Sequence, residues 1–296
     1  MGIDLDSSLR RFSRHGDDLM DRWDGSSFRR PYRIGTRVGA VGLRPDPGGT
    51  ALEVETDSKE MAPGLAPLLA SMFVDERQAL SELCARDPVI AELSLTHPGL
   101  WPVRALDPLA ALLSLVTSQQ VNLAVALSFR RAILVRLGRR IEVGGDFVMA
   151  PDPERLAQAS AEDWSAIRLS RSKARCLAAL GQAVAGGELD FADLALAPDE
   201  EVRLRLLALP GLGPWSASQY LTRVLGRPVI VADDLGVRKA VQLAYQLPLI
   251  PTAAEVTQLT AHYGSAAFSA QQLLLLNLAG TAAAPAPSLG PGPLLG

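Results

Sequence analysis

From Phe73 onward, apolar residues recur at every third or fourth position, the period of helices that bury one face. The segments ERQALSELCARD and DPVIAEL carry this spacing. Asp107 followed by Pro108 marks a helix start, because Asp accepts from free first-turn amides and Pro fits the first helical position. The helix they open, DPLAALLSLVTSQ, is apolar nearly all round and belongs in the interior. VNLAVALSFRRAILVRLG follows and is closed by Gly138. Ser160 and Asp163 have the spacing of a capping box ahead of Trp164. Further helices are predicted over 171–185, 199–208, 214–225, 234–246, 252–262 and 265–279. The N-terminal texture differs. Between Pro31 and Thr56, Val, Gly and Thr dominate around PDPGG at 45–49, which predicts strands flanking a turn and an antiparallel sheet over roughly residues 28–75. Residues 1–29 are polar and are expected to be poorly ordered. The Ala, Pro and Gly-rich tail, residues 280–296, is expected to be disordered. The predicted fold class is α+β: a small antiparallel β domain (30–76) followed by a multi-helix body (77–279), without internal repeats.

Composition excludes more than it assigns. Hydrophobic residues make up 48% of the 296 positions, enough for a sizeable core, and the net charge of −3 carries no broad electrostatic signal for nucleic acid. A local basic patch is all that a docking surface needs. Cys84 and Cys176 are the only cysteines, far apart, which rules out a disulfide framework and any four-cysteine zinc or iron–sulfur site. Reduced cysteines suit the cytoplasm. The N-terminal MGIDLDSSLRRFSR lacks the apolar segment of a signal peptide, and the run Leu273–Leu276 is too short to span a bilayer, so no membrane association is expected.

The candidate chemistry lies in LPGLGPWSASQYLTRVLGRPVIVADDLGVRKA, residues 209–240. Gly211 and Gly213 flank Leu212, which can enter the core while the backbone turns tightly; lacking Cβ atoms, the glycines accept positive φ and allow close backbone approach. The helix starting near Pro214 presents free amides and a partial positive charge, a combination suited to a phosphate. Helix, glycine turn and helix over 200–225 resemble the helix-hairpin-helix element, which grips DNA through main-chain amides without reading sequence. An ordinary αα-hairpin has the same pattern. Asp233–Asp234, taken alone, is a helix N-cap.

Placed about twenty residues after the hairpin and after the apolar PVIVA, that Asp pair resembles the signature of the helix-hairpin-helix DNA glycosylase superfamily, and VADDLGVRKA is most similar to its 3-methyladenine DNA glycosylase II branch. HPGLWPVRALDPLAALLSLVTSQQVNLAVAL and APDPERLAQASAEDWSAIRLSRSKARCLAALGQAVAGGEL are also similar to that family. The resemblance covers about residues 30–280, most strongly 105–245. It implies double-stranded DNA with damaged bases as partner, a flipped nucleotide, and Asp234 as the catalytic carboxylate that stabilises positive charge growing on the sugar. It implies Gln119 or Gln120 as the side chain filling the vacated stack. The backbone of Leu209, Gly211, Leu212, Gly213 and Trp215 would hold a phosphate, and Trp215, Gln219 and Tyr220 would form the base pocket, unless helical phase turns Tyr220 into the core or Trp215 is hydrophobic filler.

Relatives that also cut the strand carry a Lys at the position of Trp215; an indole forms no Schiff base, so the implied enzyme is a monofunctional hydrolase that leaves an abasic site. The chain departs from the family where Gln219 stands in place of an aromatic residue and where YGSAAFSAQQLLLLNLAG lacks the usual Trp and Arg, which opens the substrate range. No metal and no cofactor are expected, with a monovalent cation at the hairpin left open, and no obligate protein partner is implied. His15, His97 and His262 lie outside the motif. RLSRSKAR, residues 168–175, is either a solvated helix face or a phosphate contact. Two rival readings are a non-catalytic damage-binding protein and a glycosylase for oxidised or deaminated bases.

Overall fold

The computed structural model describes residues 4–12, 16–46, 51–57 and 63–281. The predicted turn at 45–49 falls largely, and the tail almost wholly, outside them, as does His15. The polar N-terminal segment contains α1 (Leu5–Leu9), a 3-10 turn (Arg10–Phe12) and β1 (Arg22–Trp23). This corrects the expectation of poor order there: Leu9, Met20 and Trp23 are sparse in sequence but all buried. Leu9 and Trp23 join the core of the sheet, and Met20 packs with Leu134 and Met149. β2 (Phe28–Ile34), β3 (Arg37–Pro45) and β4 (Leu52–Thr56) complete a four-stranded antiparallel meander in the order β1-β2-β3-β4. Phe28, Tyr32, Val41 and Leu43 face a core closed by α2 (Leu65–Ala70), Met72, Val103 and Leu106.

The body begins with α3 (Arg77–Cys84), α4 (Pro88–Thr96), α5 (Pro108–Ser118) and α6 (Leu123–Leu137). Asp107 caps α5 as predicted, its Oδ1 accepting from the Leu109 amide at 2.9 Å. The same carboxylate receives the Arg33 guanidinium of β2, Nε to Oδ1 at 2.8 Å, so one buried acid joins sheet and body.

After α6 the chain departs from the all-helical expectation. Gly138 does not end in solvent but begins β5 (Gly138–Val143), which pairs antiparallel with β6 (Asp146–Pro151). Gly144 and Gly145 have φ of 58° and 73°, the two positive values that a two-residue hairpin turn with right-handed strand twist demands. Ile141, Val143, Val148 and Ala150 pack with Ala40 of β3, so this hairpin leans on the N-terminal sheet.

The remaining helices are α7 (Pro153–Gln158), α8 (Ala161–Ile167), α9 (Arg171–Ala185), α10 (Phe191–Leu196), α11 (Asp199–Leu207), α12 (Pro214–Arg223), α13 (Leu235–Ala244), α14 (Ala253–Leu259) and, after a 3-10 segment (Ala261–Ala266), α15 (Ala267–Thr281). Both halves of the Ser160–Asp163 capping box are present. Gly181 lies inside α9, where Gly normally costs about 0.5–1 kcal/mol relative to Ala. A Cβ there would stand 2.7 Å from the Ala157 amide nitrogen and 2.7 Å from the Pro153 carbonyl oxygen. Gly181→Ala is therefore expected to reverse the usual sign and destabilise the protein by about 1–3 kcal/mol through overpacking, which thermal unfolding measures; an unchanged or raised Tm refutes the close α7–α9 contact.

The helices form two separate apolar clusters. One joins α5, α6, α8, α9, α11 and α12, with Leu112, Leu177, Val202 and Leu221 among its fully buried members. The other joins α3, α4, α13, α14 and α15, around Leu83, Ile90, Val241 and Leu274. The link from α12 to α13, residues 224–234, thus crosses from one lobe to the other. Among the described residues no helix is long and apolar enough to cross a membrane.

Candidate active site

The turn between α11 and α12 is built by local hydrogen bonds and one glycine. The Leu209 amide donates to the Leu206 carbonyl at 3.1 Å, and the Leu212 amide to the Leu209 carbonyl at 3.3 Å. Leu212 is 6% exposed and anchors the turn in the first lobe. Gly211 has φ +87° and a Cβ would lie 2.9 Å from Cys176 Cβ of α9, so conformation and packing both require glycine. Burial holds the Cys176 thiol protonated, pushing its pKa up to about 11. Gly213 differs from expectation: its φ of −116° is open to any residue, and nothing lies within 4 Å of the Cβ position. What Gly213 leaves is open space in front of α12. That helix has no side-chain cap and starts with Pro214, so its first amides point outward unpaired by a side chain. The half-buried Trp215 begins the face turned toward the next element.

Asp234 is the N-cap of α13, Oδ1 accepting from the Val237 amide at 3.1 Å. Its Oδ2 receives Trp215 Nε1–H at 2.8 Å and Gln219 Nε2–H at 3.0 Å. Three donors therefore fix a carboxylate with about four acceptor positions, and one position on Oδ1 stays open. Asp234 is half-buried, whereas Asp233 stands in solvent. Gly236 makes room: a Cβ there would lie 2.9 Å from Asp234 Oδ1. The capping bond and the open acceptor position therefore share Oδ1, while Trp215 and Gln219 hold Oδ2. Trp215 likewise packs on the first lobe by one edge while its N–H orients the acid.

Tyr220 does not join this group. It is fully buried in the first lobe, with its hydroxyl unpartnered among the described residues, and burial raises its pKa far above the ordinary phenol value. The reason is helical phase: Trp215 and Gln219 are four residues apart and share a face, while Tyr220 is rotated about 100° from Gln219.

The two glutamines separate. Gln119 donates from Nε2 to the Gly211 carbonyl at 2.9 Å and to Ser216 Oγ at 3.3 Å, tying the end of α5 to the hairpin. Gln120 is exposed with φ +54°, left-handed backbone that a non-glycine residue rarely holds. It stands at the tip of a loop with Val121 and Leu123 also exposed. The Gly211 carbonyl accepts this one hydrogen bond, which leaves its second lone pair.

Of the basic run 168–175, Lys173 is a structural residue. Its Nζ is buried, donates to the Thr117 carbonyl at 3.0 Å at the end of α5, and lies 5.6 Å from the Phe129 ring centre. Burial lowers its pKa. Arg168, Arg171 and Arg175 are exposed, and α9 also carries the Cys176 contact to the hairpin, so an exposed basic surface borders the turn. Of the histidines, His262 bonds Asp87 Oδ2 at 2.8 Å, and Asp87 caps α4 in the second lobe.

Sequence reasoning missed Arg223 and Arg11. Arg223 continues the Trp215 and Gln219 face of α12 and feels the charge of Asp234, which opposes the lowering of its pKa by burial. Arg11, from the N-terminal 3-10 turn, donates to the Gln272 Oε1 of α15 at 2.9 Å and the Val103 carbonyl at 2.7 Å. Burial and then the neighbouring Arg223 and Arg30 pull its pKa down to about 9. The four-residue spacing from Gln219 was the available signal for Arg223; nothing local signals Arg11. Among the described residues no cluster of three or more His, Cys, Asp or Glu is placed to hold a metal.

The family model described as "HhH-GPD superfamily base excision DNA repair protein" matches residues 113–264. The DNA-3-methyladenine glycosylase of Bacillus subtilis is 26% identical over 181 residues, covering 60% of this chain and 60% of that protein, so less than two thirds of the relative's length is spanned. DNA-3-methyladenine glycosylase 2 of Escherichia coli is 23% identical over 214 residues, covering 71% and 73%. Among solved structures, a 3-methyladenine DNA glycosylase from Archaeoglobus fulgidus superposes with a TM-score of 0.80 at 22% identity, over 93% of this chain and 94% of the other.

Proposed function

Since the chain belongs to the HhH-GPD superfamily of base excision DNA repair proteins, we propose that it is a monofunctional DNA glycosylase that extrudes alkylated bases of the 3-methyladenine type from duplex DNA and hydrolyses the N-glycosidic bond, leaving an abasic site. The observation that carries this reading is Asp234, held by Trp215 and Gln219 and open on one Oδ1 position, at the crossing from the hairpin lobe to the other. The uncapped amides at the start of α12 take a phosphate next to the lesion. The flipped sugar then meets Asp234. As the C1′–N bond lengthens, positive charge grows on the sugar and the fixed carboxylate stabilises it, with its open position available to the attacking water. A base methylated at a ring nitrogen departs uncharged and needs no acid. Trp215 occupies the slot where a strand-cutting enzyme needs an amine, which supports hydrolysis alone.

The names of the relatives support the 3-methyladenine class. Release of free base from methylated duplex DNA by wild type, and its loss in Asp234→Asn, tests the reading; tight binding to lesion DNA without any release by wild type would instead identify a damage-binding protein.

Gln120 is the better wedge. Gln120→Ala is expected to slow base release about tenfold or more, because extrusion costs a few kcal/mol that a filled gap offsets, with Tm unchanged. Gln119→Ala should act through the hairpin, weakening duplex binding and lowering Tm. Fluorescence of a 2-aminopurine beside the lesion separates extrusion from binding; equal effects of the two substitutions would refute the assignment.

A further inference from the structure

Side chains from α6, α9 and the N-terminal segment converge on the last turn of α5, directly before Gln120. Arg130 of α6 donates from Nε to Thr117 Oγ1 at 3.1 Å and from one terminal nitrogen to Ser118 Oγ at 2.7 Å. Its other terminal nitrogen pairs with Asp18 Oδ2 at 3.1 Å, and the two side chains are 13% and 8% exposed. Lys173 of α9 holds the Thr117 carbonyl, and Gln119 is tied to the hairpin at Gly211 and Ser216. Asp18 is itself fixed. Its Oδ1 accepts from the Met20 and Asp21 amides at 3.0 and 3.2 Å. The Leu19 carbonyl takes the Met149 amide of β6, and Leu19 and Met20 pack with Ala110 and Leu134. The N-terminal segment thus stands behind the loop as a backstop.

Two features give this support a purpose. Arg130 and Lys173 are cations at the C-terminal end of α5, where free carbonyls carry partial negative charge. Their donors are spent on groups of the protein, so they brace the loop rather than hold DNA. Gln120 follows in left-handed backbone, φ +54°, without the freedom of glycine. Such a conformation persists only where its surroundings over-determine it. A side chain pressed into a base stack also meets resistance, because unstacking costs free energy. A loop free to relax would retreat from the stack instead of displacing the base.

Building on the glycosylase reading, with Gln120 as its wedge, we propose that Arg130, backed by Asp18, is a positioning residue that holds Gln120 in the pose that extrudes the base. The free amides at the start of α12 lie elsewhere, so the grip on phosphate does not depend on Arg130. A purely structural pair would hold α6 against the N-terminal turn and leave extrusion alone.

The test uses the full chain and a duplex carrying a single 7-methylguanine flanked by 2-aminopurine, whose fluorescence rises on unstacking. Titration gives affinity, stopped flow gives extrusion, single turnover gives base release, and thermal unfolding runs alongside. Arg130→Met is expected to slow extrusion about tenfold while duplex affinity stays within about threefold of wild type. In a Gln120→Ala background the same substitution should add less than about twofold, because a residue acting through Gln120 has nothing left to position. Arg130→Met also leaves Asp18 buried without its cation and lowers Tm; adding Asp18→Asn is expected to restore much of the Tm and none of the extrusion rate. Ser118→Ala removes the 2.7 Å acceptor and leaves the buried pair intact. It is expected to slow extrusion about two- to fivefold, and it carries the test should Arg130→Met not fold. Extrusion at the wild-type rate, a loss that multiplies with that of Gln120→Ala, or a rate restored together with Tm by Asp18→Asn overturns the assignment. Wild type that extrudes the base without releasing it removes the glycosylase reading and leaves the positioning role standing. Wild type whose base release is indifferent to Gln120 does the reverse.

Discussion

Asp234→Asn is expected to remain folded and to release methylated bases about a thousandfold more slowly, a loss of roughly 4 kcal/mol of transition-state stabilisation. Asparagine is as good an N-cap as aspartate, so α13 keeps its start. The amide has one acceptor oxygen, however, where the carboxylate serves Val237 on Oδ1 and Trp215 and Gln219 on Oδ2. One side of that set loses its partner, costing about 1 kcal/mol of stability, small against the chemical effect. The larger loss arises because a neutral amide cannot offset positive charge on a sugar. Measuring single-turnover release and duplex affinity together is decisive: affinity should stay near that of wild type while the rate collapses. A variant that releases base at close to the wild-type rate would remove Asp234 from the chemistry.

Asp107→Ala should give the largest loss of stability. The Asp107 and Arg33 side chains are 0% and 4% exposed. Besides the 2.8 Å contact, Arg33 donates a second bond to Asp107 at 3.3 Å and one to the Pro151 carbonyl at 3.1 Å. Removing the acid leaves a buried guanidinium with one carbonyl for company and uncaps α5. Such a broken buried pair costs about 3–5 kcal/mol, which for a chain of this size is a drop of roughly 10 °C or more in Tm. Asp107→Asn keeps an acceptor and should fall between. The double substitution Asp107→Asn with Arg33→Met should recover much of the loss, because no unpaired charge remains. Were Asp107→Ala to melt within a degree or two of wild type, the joint between sheet and body would not rest on this pair.

What the sequence disclosed was whatever depends on local geometry. The glycine turn, the cap at Asp107, the capping box at Ser160 and the N-cap at Asp234 are each written within four residues, and each formed as expected. The site followed because the hairpin and the acid lie about twenty residues apart. Features set by distant packing were not legible. Lys173 reads as one of four basic residues within eight positions, and only the fold shows its ammonium capping α5. Tyr220 needed the phase of α12 against the first lobe. Arg11 reaches Gln272, 261 positions away. The β5–β6 hairpin is a different kind of miss: Gly144–Gly145 between IEV and FVM is a legible turn, overridden by the helical pattern on both sides.

That hairpin has a consequence for how the molecule can be divided. A cut at residue 76 looks natural on paper, with sheet before and helices after. In space it strips Ala40 from Ile141, Val143, Val148 and Ala150 and separates Arg33 from both Asp107 and Pro151. The two apolar clusters of the helical body stay whole after such a cut, but the body loses the surface that covers the β5–β6 hairpin and the partner of Asp107, so the sheet is expected to lend it stability and to unfold with it.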